Sequence, residues 1–131
     1  MPIKLDQVIP WGRCLDEYMG MFNLKPADFE LEILDCAGGP ASFNAEMTRR
    51  GNKVISCDPV YQFSAVEIRD RIQATYQTVI NGVQANLDGY VWTNITSPSQ
   101  LGEVRMGAMQ QFFKDFPLGI QQGRYITAEL P

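Results

Sequence analysis

The sequence predicts an α/β domain in which helices flank a parallel β-sheet. Two short apolar runs, residues 31–36 and 53–57, have the length and composition of buried strands. A turn of small residues and a helix-like stretch separate these runs. Because a connection that contains a helix joins neighbouring parallel strands, this order of elements predicts a parallel sheet.

A helical segment precedes the first strand. Residues 13–22 carry apolar side chains at helical spacing, namely Leu15, Tyr18, Met19 and Phe22. Asn23 and Pro26 are expected to end this helix. We therefore interpret residues 1–29 as an N-terminal helical lead-in.

Each of the two predicted strands is followed by, or ends in, an acidic residue. The first run contains Asp35 near its end, and a turn of small residues follows: Ala37, Gly38, Gly39, Pro40 and Ala41. The next helix stops at Gly51, and the second run leads directly into Asp58. The carboxyl ends of parallel strands lie at one edge of a sheet, where open α/β sheets bind their ligands.

Two longer helices are predicted after the second strand. The first begins at Ser64, which forms a capping-box pattern with Glu67, and residues 82–92 fit either its continuation or a loop. The second covers residues 99–116, with Pro117 and Gly119 as its stop signals. Its phenylalanines are expected to lie in the core.

A third strand is predicted at residues 124–128. Residues 62–123 would then form a helical insertion between the second and third strands, serving either as a lid or as additional core and interface packing. The whole chain, residues 1–131, is interpreted as one partial domain with about three strands.

Charge and composition exclude several classes of function. The chain carries a net charge of −4 and has no basic run, which argues against nucleic acid as a partner. It has no stretch of about 18 apolar residues that could span a membrane. The N-terminus lacks the apolar core of a signal peptide, so we expect a cytoplasmic protein.

The histidine and cysteine content argues against two further kinds of site, a histidine-dependent catalytic site and a metal site. There is no histidine, which removes the commonest general base. The cysteines, Cys14, Cys36 and Cys57, lack metal-ligand spacing, so no metal site is expected. Because two of them lie in predicted buried strands, we expect reduced, buried thiols.

The glycine turn has the chemistry of a nucleotide site. Gly38 and Gly39 would let a ligand approach backbone N–H groups at a helix start, although a purely structural turn is the alternative. Asp35 is suited to receive an ammonium group, and Asp58 can accept hydrogen bonds from a ribose diol.

The identity of the nucleotide follows from what the turn lacks. The sequence does not match the G-x-G-x-x-G fingerprint of nicotinamide sites, and it lacks the Gly-Lys-Ser/Thr of a P-loop. Asp35, just before the turn, would also repel a pyrophosphate. A ligand with a positively charged tail fits better, and S-adenosylmethionine carries both an ammonium and a sulfonium.

The segments I-L-D-C-A-G-G-P-A-S-F and V-I-S-C-D-P-V-Y resemble the first two motifs of class I S-adenosylmethionine-dependent methyltransferases. Aligned on Asp35, the three glycine positions of the first motif fall on Ala37, Gly39 and Ala41, so two of them are alanine. The resemblance implies a Rossmann-like fold. It also implies roles for the site residues: Asp35 and the turn Ala37, Gly38 and Gly39 would hold the methionine part, Asp58 the ribose, and Pro59 with Val60 the adenine.

The resemblance covers about half the chain and predicts more sheet than the chain contains. We therefore expect a fragment, or a partner that supplies the remainder. The first strand would lack a neighbour on one side, so self-association through this edge or through the insertion helices is expected. A small molecule or a protein is the expected methyl acceptor.

Two rival functions stay open. One is a nicotinamide- or other nucleotide-binding α/β oxidoreductase. The other is a non-catalytic association module with the same fold.

Some side chains have two interpretations from sequence. Tyr61 and Phe63 could stack on adenine or pack beneath the next helix. Arg13 could meet the carboxylate of the cofactor or lie in solvent. Glu17 and Glu46 are most simply solvated helix charges.

Overall fold

The computed structural model describes residues 10–86 and 97–128. They form four α-helices and three strands in the order α1 (Leu15–Phe22), β1 (Glu32–Cys36), α2 (Phe43–Arg49), β2 (Lys53–Cys57), α3 (Ala65–Ala85), α4 (Pro98–Gln121) and β3 (Tyr125–Ile126). Two short 3₁₀ helices precede β1 and follow β2, at Pro26–Glu30 and Pro59–Gln62.

The three strands form a parallel sheet in the order β1–β2–β3. Along β1 and β2 the register pairs Asp35 with Ser56 and Cys36 with Cys57, and Cys57 also pairs with Ile126 of β3. Two long helices lie between β2 and β3 along the chain. The predicted α/β, Rossmann-like class is therefore confirmed.

Three of the described helices, α1, α2 and α4, pack on one face of this sheet. Side chains alternate along a strand, so Asp35, Ser56 and Tyr125 lie on the same face. From α1, Tyr18 donates a hydrogen bond to Asp35. From α2, Asn44 donates to Ser56. From α4, the ring of Phe116 lies 5.4 Å from that of Tyr125, so three helices share this face.

Within residues 10–86 and 97–128, no helix covers the opposite face. We call it the open face, and it consists of Leu34, Cys36, Ile55, Cys57 and Ile126. Leu34 is 64% exposed and Ile126 is 44% exposed. The prediction that both cysteines are buried is wrong for Cys36, which is exposed, while Cys57 is half-buried. An apolar run shows that a strand avoids polar residues, but it does not show that helices cover both of its faces.

β1 is also an edge strand. In the described residues it pairs with β2 on one side and has no strand on the other. Leu31, which the sequence places in the strand, lies just before it and is 60% exposed. This edge carries no proline and no lysine, two residue types that usually protect exposed edges from pairing.

Two hydrophobic clusters form the core. The first lies between α3, α4 and the end of the sheet and contains Val60, Tyr61, Ile68, Ile72, Met109, Phe112, Phe116 and Tyr125. The second joins α1 and α2 to the sheet and contains Leu15, Tyr18, Ala41, Phe43, Met47 and Val54. The helices between β2 and β3 therefore contribute much of the core, as the packing alternative predicted.

The end of α4 differs from the sequence prediction. Pro117 lies inside the helix, which continues to Gln121 rather than stopping at Phe116. Proline removes one helical hydrogen bond near the end. Gly119 permits close packing, because a Cβ atom there would overlap the ring of Tyr125. Packing against β3 thus overrides two local stop signals.

The other helices agree with the sequence pattern. Ser64 and Glu67 form the predicted capping box, with backbone-to-side-chain distances of 3.1 Å in both directions. α3 ends at Ala85, and the rest of the ambiguous stretch, residues 87–92, lies outside the described residues. β3 is shorter than the predicted strand at 124–128. Within residues 10–86 and 97–128, no helix is both long and apolar enough to cross a membrane.

Candidate functional site

The turn after β1 has the backbone geometry of a glycine-rich loop. Ala37 and Gly39 have φ values of 58° and 56°, in the left-handed region. The N–H of Ala37 donates to the carbonyl of Cys57 at 2.8 Å, which holds the turn against the end of β2. A left-handed alanine costs about 1 kcal/mol. The turn therefore has left-handed backbone at Ala37 and Gly39, and Ala41 does not share this conformation.

Asp58 connects this turn to β2. One carboxylate oxygen accepts the N–H of Gly39 at 3.0 Å, and the other accepts the N–H of Val60 at 2.8 Å. Each carboxylate oxygen can accept a further hydrogen bond. Asp58 thus fastens the turn and retains capacity for hydroxyl donors. The bond to Val60 is a helix cap that an acid before Pro59 makes recognisable from sequence, whereas no sequence pattern indicates the bond to Gly39.

Asp35 lies beneath the turn. Its carboxylate accepts hydrogen bonds from the hydroxyls of Tyr18 at 3.1 Å and Ser56 at 3.0 Å. Burial raises the pKa of this carboxyl, the two hydrogen bonds oppose the rise, and the negative charge of Asp58 adds to it. A Cβ atom on Gly38 would overlap the Asp35 carboxylate, so glycine is required at this position for steric reasons.

A cleft opens beside the turn and Asp58. It has a volume of about 190 Å³ and is lined by Pro10, Trp11, Ala37, Gly39, Pro40, Asp58 and Val60. Four of the seven predicted site residues therefore line one cleft. Asp35, Gly38 and Pro59 do not line it. Sites for drug-sized ligands usually measure about 300–1,000 Å³, so this cleft accommodates only part of a nucleoside cofactor.

The chain before α1 closes one side of the cleft. Gly12 packs directly on the carbonyl of Pro40, where a Cβ atom would overlap it. The carbonyl of Arg13 accepts the N–H of Ser42 at 3.0 Å. Trp11 is half-buried, and its ring lies 6.1 Å from that of Tyr76. No sequence pattern links Trp11 to the turn, so its position in the lining of the cleft was not predicted.

Tyr61 belongs to the core rather than to the cleft. Its ring is 4% exposed and lies 5.7 Å from the ring of Phe116. Its hydroxyl donates to the carbonyl of Gly39 at 2.8 Å. Phe63 packs against the same cluster. Of the two interpretations that the sequence left open, packing is the one observed.

A buried polar network extends from Asp35 to β3. Ser56 accepts a hydrogen bond from the amide of Asn44 at 3.0 Å. The side-chain oxygen Oδ1 of Asn44 accepts a hydrogen bond from the guanidinium of Arg124 at 2.8 Å. Arg124 in turn forms a bidentate ion pair with Asp115 of α4, at 2.6 and 2.7 Å. No sequence motif indicates this network, because its members are far apart along the chain.

Two glutamates that the sequence analysis placed in solvent have specific partners. Glu46 accepts hydrogen bonds from the N–H of Leu15 and the hydroxyl of Ser42, both at 2.7 Å. Glu17 forms an ion pair with Arg105 of α4. Both interpretations as solvated charges were wrong, because packing of α1 against α2 and α4 brings these partners together.

A larger, mainly apolar hollow of about 300 Å³ lies beside the unpaired edge of β1. It is lined by Tyr18, Phe22, Leu24, Ile33, Leu34, Asp35, Cys36 and Phe43. Asp35 thus borders this hollow rather than the cleft. Across the part of the chain that the structure describes, no three histidine, cysteine, aspartate or glutamate side chains lie close enough to hold a metal ion.

The sequence is similar to that of a protein from an archaeon. The chain is 26% identical, over 132 aligned positions, to the uncharacterized protein MJ0045 of Methanocaldococcus jannaschii. The match covers 98% of this chain and 58% of the relative, so the chain spans little more than half of that protein's length. No protein-family model matches the sequence, and no solved structure matches it.

Proposed function

We propose that this chain binds S-adenosylmethionine at the carboxyl edge of its sheet. The observation that carries the proposal is the contact between Asp58 and the amide of Gly39. It brings a strand-end acid and a tight strand–helix turn together in the lining of one cleft. This juxtaposition, an acid for the ribose beside a turn for the tail, is what a nucleoside cofactor needs.

Electrostatics favour a positively charged ligand. Asp35 and Asp58 lie close enough for the Asp58 charge to raise the pKa of Asp35. A second anionic group such as a pyrophosphate would be repelled here, whereas a sulfonium or ammonium would be attracted. This argues for S-adenosylmethionine over a dinucleotide, and it is the reason that a nicotinamide cofactor is not the proposed ligand.

The cleft volume limits which part of the ligand it could hold. At about 190 Å³ the cleft would suit the ribose and part of the adenine, with the ribose hydroxyls on Asp58 and the base near Val60 and Trp11. The methionine tail would extend along the turn past Ala37.

The proposed reaction is transfer of the sulfonium methyl group. A nucleophile on a small molecule or protein attacks the methyl carbon in line, the carbon–sulfur bond breaks, and S-adenosylhomocysteine leaves. Such a reaction depends mainly on positioning and exclusion of water. The absence of histidine is therefore compatible with it.

Calorimetric titration with S-adenosylmethionine, S-adenosylhomocysteine and NAD tests the proposal. We expect saturable binding of the first two. Asp58→Asn should weaken it at least about tenfold, because the ribose loses a charged acceptor. Asn retains one oxygen for the turn, which Asp58→Ala would not. The control, Asp70→Asn, changes an exposed carboxylate on α3 and should leave affinity unchanged. Binding of NAD alone would contradict the proposal.

An association module is the second candidate. The open face and the unpaired edge of β1 support it, because parallel sheets are normally covered on both faces. If two copies associate there, Leu34→Lys should shift the chain from dimer to monomer in light scattering at matched concentration. Val66→Lys, at another exposed apolar residue, is the control. A monomeric wild-type chain would rule out this candidate.

A further inference from the structure

Two cysteines lie side by side at the carboxyl end of the sheet. Cys36 ends β1, Cys57 ends β2, and the parallel register pairs them directly. Residues paired in register on adjacent strands present their side chains to the same face, here the open face. Both thiols are free.

The spacing of the two residues suits a covalent bond. Adjacent strands lie about 4.8 Å apart, and disulfides join residues whose Cα atoms are about 4.4–6.8 Å apart. The neighbouring Cys57 thiol raises the pKa of the Cys36 thiol. The strand register therefore places the two residues within the range of separations that a disulfide spans.

Cys36 is also accessible to reagents. It is exposed, and its neighbour on the same face, Leu34, is 64% exposed. Cys57 is half-buried, and Cys14 lies elsewhere, at the start of α1, with Glu17 as its partner. The pair therefore consists of one thiol that a small molecule reaches and a second thiol positioned to react with it.

We propose that Cys36 and Cys57 form a reversible disulfide by exchange with a small-molecule disulfide. The Cys36 thiolate attacks one sulfur of the reagent and releases the first thiol. The Cys57 thiolate then attacks the Cys36 sulfur and releases the second. In sum, two protein thiols and one reagent disulfide become one protein disulfide and two reagent thiols.

The bond would lie at the strand ends that lead into the glycine turn and into Asp58. The carbonyl of Cys57 accepts the N–H of Ala37, and Asp58 follows Cys57 in the chain. Exchange accelerates as the pH rises, because the thiolate is the attacking species and the pKa of Cys36 is raised.

The test uses the folded chain and oxidised glutathione at alkaline pH, with thiol counting and intact-mass spectrometry. We expect two of the three thiols to be lost, no retained glutathione, and a mass lower by two hydrogen atoms, with peptide mapping joining Cys36 to Cys57. Dithiothreitol should restore all three thiols. Cys14→Ser should close the same bond.

One variant separates the first thiol–disulfide exchange, on Cys36, from the second, which closes the bond. Cys57→Ser should stop at a glutathione adduct on Cys36, because no second thiol can displace it. Three outcomes would overturn the proposal: a stable glutathione adduct on Cys36 of the wild-type chain, a disulfide that includes Cys14, or no loss of thiols.

Discussion

Asp115→Ala is expected to lower the free energy of unfolding by about 3 kcal/mol. Asp115 accepts two hydrogen bonds from Arg124 and one from the hydroxyl of Tyr125, at 2.7 Å. The side chains of Asp115 and Arg124 are only 16% and 12% exposed. Removal of the carboxylate therefore leaves the largely buried Arg124 without its counter-ion and the Tyr125 hydroxyl without its acceptor. Urea unfolding monitored by circular dichroism measures the loss.

The effect of Asp115→Ala should depend on pH. Burial would raise the pKa of Asp115, but hydrogen bonds from Arg124 and Tyr125 outweigh it and lower the pKa below its usual 3.8. A lowered pKa gives stability that is complete above pH 3.8 and is lost as the pH falls through the folded-state pKa. The difference between wild type and variant should therefore shrink in acid. Asp70→Ala, at an exposed position, should change stability by less than about 0.5 kcal/mol. Equal losses for both variants would contradict the assignment.

Glu17→Ala is expected to cost about 4 kcal/mol, because it leaves the buried guanidinium of Arg105 without its counter-ion. The two side chains are 17% and 9% exposed. Glu17 contacts Nη1 of Arg105, and among the described residues the buried Nε atom of Arg105 has no hydrogen-bond partner. Thermal and urea unfolding measure the loss. The control is Glu103→Ala, at an exposed position on α4, the helix that carries Arg105, and it should be nearly neutral.

A double variant distinguishes a buried-charge effect from general damage to α1. Replacing a buried ion pair by apolar residues is often neutral, whereas removing one partner is not. Glu17→Ala combined with Arg105→Met should therefore recover most of the stability lost in the single variant. If the double variant is less stable than Glu17→Ala, the pair does not act through the charge of Arg105.

Local patterns predicted most of the elements. Helical spacing of apolar residues located α1, α3 and α4, and the Ser64 capping box marked the first turn of α3. The acids and the turn identified the edge of the sheet at which a cleft exists. These features depend on residues close together in sequence, so they can be predicted from the sequence.

Features that depend on distant residues were not predictable in this way. The pairing of Glu17 with Arg105 joins residues 88 positions apart, and the bond from Asn44 to Arg124 spans 80. The open face was missed for a related reason, since the apolar character of β1 does not specify what covers it. Trp11 lines the cleft, and the adjacent Gly12 packs on the turn at Pro40, a contact between residues distant in sequence.

Asp58 holds the turn in place and would also bind the proposed ligand, so substitution of Asp58 changes both the turn and the site. Amide NMR of the isotope-labelled chain, titrated with S-adenosylhomocysteine, reports on the site without altering it. Gly39 and Val60, whose N–H groups bind Asp58, should shift together and saturate. Gly51, where α2 meets β2, should remain unchanged. Saturable shifts confined to other residues, or no saturable shift at all, would contradict a cofactor site at this edge.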